Sequence, residues 1–83
     1  MKYHTPQPKL VGKLTTSDFP VEGRVTVGLS DGSVCRFRSA FYHREGKWIA
    51  VYALHGGVYM FKLALVGEVR GLTRTDDDRF ALL

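Results

Sequence analysis

Hydrophobic and polar positions alternate cleanly through the middle of the chain. From Arg24 to Leu29 the apolar side chains Val25, Val27 and Leu29 interleave with Arg24, Thr26 and Gly28, the period of a strand with one buried face. Ser30-Asp31-Gly32 follows. As a three-residue loop with Gly32 in the left-handed position, it pairs Val27 with Cys35 and Val25 with Phe37. A two-residue Asp-Gly turn would set Val27 against Arg36 and mix the two faces. The same rule makes Arg44-Glu45-Gly46 a loop, pairing Phe41 with Ile49, Ser39 with Val51 and Phe37 with Ala53. His55-Gly56-Gly57 then pairs Val51 with Phe61 and Ile49 with Leu63. Three glycine-ended loops thus predict a four-stranded antiparallel meander. Its inner side holds Val25, Val27, Leu29, Cys35, Phe37, Phe41, Ile49, Val51, Ala53, Tyr59, Phe61, Leu63 and Leu65.

A lone four-stranded sheet needs a cover for its apolar side. A short first strand over Lys9 to Thr15 and a last one over Val66 to Leu72 supply it by curling the sheet. Residues 1–8 carry Pro6 and Pro8 and little to bury, so they form an extended arm, leaving residues 9–83 as a single domain. Thr16 to Gly23 is a connection anchored by Phe19. Thr75 and Asp78 have the spacing of a capping box, and Asp76 to Asp78 suit the positive end of a helix dipole. The expected fold is all-β: a five- or six-stranded antiparallel barrel of SH3-like or OB-like type, with a short C-terminal helix packed through Phe80.

The register also assigns the outward side chains. Arg24, Arg36, Arg38 and Lys62 share that side with Tyr42, Trp48, Tyr52 and Met60, while Asp31 and Glu45 fall in turns. The expected neighbours include Tyr42 with Trp48, Arg38 with Tyr52, Tyr52 with Met60 and Ala50 with Lys62. Cations interleaved with rings suit nucleic acid, single strands above all, because phosphates meet the charges while bases stack. The same residue types also dominate protein interfaces. A third arrangement has the termini covering Trp48 and Tyr52 as a second small core. The expectation is a non-enzymatic binding module for nucleic acid, with a protein partner or self-association through the same face as the alternative.

Composition narrows the field. At 83 residues the chain is one small domain with no room for a deep, multi-part active site. The net charge of +4 is mild, but ten basic and five acidic residues precede position 73, so the surplus lies in the body of the fold. A single cysteine makes no internal disulfide and points to a reducing, cytoplasmic setting, and no apolar run spans a bilayer. No cofactor motif is present. His43 and His55 fall at opposite ends of one strand, too far apart to share a metal, and His4 lies in the arm. Ser30, Ser33, Asp31 and His55 emerge at one end of the sheet, but Ser, Asp and Gly are what a tight loop requires, so no catalytic residue is assigned.

The run Val25-Thr26-Val27-Gly28-Leu29-Ser30-Asp31-Gly32 resembles the opening of an Sm-like RNA-binding barrel. Val69-Arg70-Gly71-Leu72 is faintly similar to that family's closing motif. The resemblance covers about a dozen residues and implies a five-stranded, ring-forming RNA binder. Phe37, His43 and Lys47 stand where the family has glycine and its nucleotide-contacting Asp or Asn, so no membership is assigned.

Overall fold

The structure, a computed structural model, describes residues 19–20, 22–74 and 80–82. The arm, the first strand and the capping-box residues expected from the sequence lie outside them. Seven strands follow one another: β1 (Arg24–Leu29), β2 (Val34–Arg38), β3 (Ala40–Glu45), β4 (Trp48–Ala53), β5 (Gly57–Lys62), β6 (Val66–Arg74) and β7 (Phe80–Leu82). A 3-10 turn over Leu63–Leu65 links β5 to β6. They form one curled sheet, ordered β2-β1-β6-β3-β4-β5, with β7 on β6. The fold is therefore all-β and barrel-like, a half-barrel in which β2 and β5 are the outer strands of the path.

The first hairpin has the expected register, with Val27 opposite Cys35 and Val25 opposite Phe37. Gly32 sits at φ 94°, and Asp31 Oδ1 accepts from the Ser33 amide at 2.9 Å and the Ser33 hydroxyl at 2.6 Å. After β2 the meander breaks. Ser39 has φ 50°, the Ala40 amide donates to the Gly23 carbonyl, and β3 runs beside β6 in parallel, Tyr42 opposite Thr73. The sheet is thus mixed rather than wholly antiparallel. Strand β6 joins its two halves, pairing with β1 from Val66 to Gly71 and with β3 and β7 beyond. The last segment is a strand where a helix was expected: Arg74 pairs with Phe80 and Leu72 with Leu82.

The second hairpin also differs. Glu45 pairs directly with Trp48 across Gly46 and Lys47. Gly46 has φ 64° and Lys47 does not share the positive φ, the signature of a type II′ hairpin, with glycine first. Phe41 consequently faces Tyr52 rather than Ile49. The shift is an odd number of residues, so the faces of β3 exchange. In the third hairpin Ile49 meets Phe61 and Val51 meets Tyr59; that slip is two residues, and the faces survive.

Two cores result. Inside the curl, Val25, Val27, Ala40, Tyr42, Ile49, Val51 and Ala53 are buried, with Cys35, Phe37, Phe61, Leu63 and Val69 against them. On the outside of β3 and β4, Phe41, Ala50 and Tyr52 form a second cluster with Phe19, Met60 and Leu72. Phe41 and Tyr52 stack at 5.2 Å, and Phe19 leans on Phe41 at 5.5 Å. Phe19 thus anchors its connection as expected, on the outer cluster.

Candidate functional site

The outward set expected from the sequence divides into four. Tyr42 is buried inside the curl, 6% exposed, because the exchanged faces of β3 turn it inward; burial pushes its phenol above the ordinary 10.0. Tyr52 lies fully buried in the outer cluster, and Met60 packs half-buried against it. The contact expected between Arg38 and Tyr52 does not form, since β2 and β4 are separated by three strands. Trp48 neighbours Glu45 and Lys62 instead of Tyr42, Tyr52 faces Val58 instead of Met60, and Ala50 faces Met60 instead of Lys62.

Glu45 is not a turn residue either. It ends β3 and is 7% exposed. The Tyr52 hydroxyl donates to Glu45 Oε2, and His43 Nδ1 lies 3.5 Å from the same oxygen. This carboxylate is held inside the outer cluster, where a buried charge requires partners.

The three arginines of the expected set do remain outward. Arg24, Arg36 and Arg38 are exposed on the convex side of β1 and β2. Arg24 stands directly opposite Arg38, and Thr26 bridges Arg36 on one side to Arg70 of β6 on the other. Among the described residues Arg24, Arg36 and Arg38 enter no ion pair, whereas Arg70 Nε contacts Glu68 Oε2 at 3.0 Å. Like charges directly across a pair of strands repel, and among the described residues no ion pair offsets these three arginines. Arg70 was missed from the sequence because residues 66–72 were assigned only the task of covering the sheet. Their alternation, Glu68 and Arg70 against Val69, is the signal for an outward side.

A separate feature lies at the far end of the sheet, where Lys47, Trp48, Lys62, Leu63 and Ala64 line a pocket of about 510 Å³. Lys62 Nζ sits 6.0 Å from the Trp48 ring centre, within reach of a cation–π attraction. Cys35 is a half-buried free thiol beside the inner core. No group of three or more potential metal ligands occurs among the described residues. No helix among them is long and apolar enough to cross a membrane. No family model, curated protein or solved structure matches the chain.

Proposed function

We propose that the protein is a non-enzymatic binding module whose convex β2-β1-β6 face contacts the phosphate backbone of nucleic acid. The observation that supports this most directly is the set Arg24, Arg36 and Arg38: exposed, mutually adjacent and without an acidic partner among the described residues. Arginine's planar fork matches phosphate oxygens, and an anion laid across Arg24 and Arg38 removes their mutual repulsion. Among the described residues no aromatic side chain projects outward from β1, β2 or β6. The preference for single strands rested on stacking against Tyr42, Trp48 and Tyr52; the two tyrosines are buried and Trp48 stands apart on β4, so the arginine face gives no ground of its own for it. Binding is expected to depend on charge and little on base identity.

The test is a titration of labelled single- and double-stranded oligonucleotides at several salt concentrations. Three arginine contacts give a slope of log K against log salt of about −2 to −3. Arg36→Ala or Arg38→Ala should each reduce that slope by about one and weaken all sequences alike. Binding that is absent, or indifferent to salt, rules the proposal out. A protein partner is the second reading, and the pocket beside Trp48 favours it.

A further inference from the structure

The pocket beside Trp48 follows from the local chain path. The type II′ turn brings Trp48 opposite Glu45, and the next pairing sets Lys62 against Trp48. The Leu63 amide donates to the Lys47 carbonyl at 2.8 Å, tying the start of the 3-10 turn to the β3–β4 hairpin. Leu63, which also packs on the inner core, and Ala64 line the pocket together with the indole and the exposed Lys47 and Lys62. The pocket is an open surface depression of about 510 Å³ with a mostly apolar lining, the shape that takes one inserted side chain rather than an engulfed small molecule.

Charge around the pocket is one-sided. Both ionisable lining residues are lysines, and the nearest acid along the register, Glu45, is buried and already accepts the Tyr52 hydroxyl. Glu45 is not among the residues that line the pocket. Of the other exposed acids among the described residues, Asp31 is bound within its turn, Glu68 pairs with Arg70, and Glu22 lies beside Arg24 on the β1 side of the sheet. A nucleobase suits the site less well. The Lys62 ammonium already lies over the indole, Trp48 is only half-exposed, and the remaining wall is aliphatic, so a flat stacking platform is lacking.

We infer that this pocket is a second binding site, for an acidic peptide segment of another protein that inserts one bulky apolar side chain between Trp48 and Leu63. The carboxylates on either side of that side chain meet Lys47 and Lys62. Tryptophan is among the residues that most often dominate such contacts, and a rim of exposed charge sets specificity more than affinity.

Trp48 is the only tryptophan, so its emission reports on this site alone. The probe is a panel of seven-residue peptides with glutamates around a central leucine or phenylalanine, each with a lysine-flanked counterpart. The acidic peptides should shift the emission saturably, the lysine-flanked ones should not, and a central alanine should abolish the effect. Lys47→Glu and Lys62→Glu should each weaken binding about two- to fivefold, and the double variant should bind the lysine-flanked peptides instead. Both lysines are exposed, so unchanged thermal unfolding will show that the variants fold. Equal responses to both peptide series, or no saturable response, overturn the proposal. So does a concentration-dependent doubling of mass without peptide that Lys62→Glu abolishes, which would assign the pocket to a second copy. Competition between oligonucleotide and peptide for the Trp48 signal would likewise assign it to nucleic acid. Weakened oligonucleotide binding in Arg38→Ala with peptide binding intact supports a separate site, and absent oligonucleotide binding in the wild type with peptide binding intact would leave this site standing by itself.

Discussion

Ser39 is the only non-glycine among the described residues with positive φ, and it decides which way the rest of the chain points. Nothing around it, Arg38 before or Ala40 after, announces a break. Gly71 is the complementary case, where glycine is obligatory. It sits at φ 124°, and a Cβ there would lie 2.0 Å from the Arg24 carbonyl oxygen, at the point where β6 leaves β1 for β3. Gly32 shares the positive φ but has nothing within 4 Å of its would-be Cβ. Gly32→Ala should therefore cost only backbone strain, about 1–2 kcal/mol, whereas Gly71→Ala adds a backbone clash and should leave little folded protein. Urea denaturation of the pair checks this, and equal costs would contradict it. Asp31 offers a pH test in the same loop. The Ser33 hydroxyl first, and the Ser33 amide second, hold its carboxyl below 3.8. Its folded pKa lies below its unfolded one, so the contribution is fully present above 3.8 and is lost as pH falls through the folded value. Wild type should exceed Asp31→Ala in urea midpoint at neutral pH, with the gap narrowing once the pH drops below 3.8. A gap unchanged at pH 2 would show that the carboxylate charge is irrelevant to the turn.

At the scale of elements, the first hairpin was legible because Arg36 and Arg38 punish the wrong register; only one loop length keeps both faces coherent. The second hairpin offered no such penalty. Phe41 and Tyr42 are both apolar enough to face either way, and Gly46 fits the last position of a three-residue loop as well as the first of a two-residue turn. The all-β character and the inward side of β1, β2 and β4 were therefore readable, while the face of β3, and with it Phe41, Tyr42 and Tyr52, was not, and Tyr59 and Leu65, expected inside, are exposed. One signal was available in β4. Trp48 to Leu54 contains no charged residue on either parity, the mark of a strand covered on both sides, and Ile49 to Ala53 are all buried. Tyr52 holds the outer cover together by donating to buried Glu45. Tyr52→Phe keeps the stack on Phe41 but withdraws that donor, and should cost about 1–3 kcal/mol. Glu45→Gln retains an acceptor and should cost less. A Tyr52→Phe protein as stable as wild type in chemical denaturation would contradict a supporting role for the bond.

For the whole molecule, the consequence of these local choices is that charge and ring, expected on one face, lie apart. Arg24, Arg36 and Arg38 occupy β1 and β2, whereas Trp48 and Lys62 occupy β4 and β5, with β6 and β3 between. At about 4.8 Å per strand, the three steps from β1 to β4 span roughly 14 Å along a surface that also curves. That exceeds the Debye length of about 8 Å at physiological salt, so a charge placed on one face is largely screened from the other. A single mixed face demands that Trp48→Ala and Arg38→Ala weaken oligonucleotide binding together. Two separate faces predict that Arg38→Ala weakens it severalfold while Trp48→Ala leaves it within twofold. Saturating acidic peptide should then leave oligonucleotide affinity unchanged, since neither ligand touches the other's residues and β6 and β3 separate the two sites in the sheet. Fluorescence anisotropy of a labelled oligonucleotide, measured with and without peptide at 0.15 M salt, decides between the two. A peptide that displaces the oligonucleotide would restore the single face; simultaneous occupancy would make this small half-barrel a bridge between an acidic protein segment and a nucleic-acid backbone.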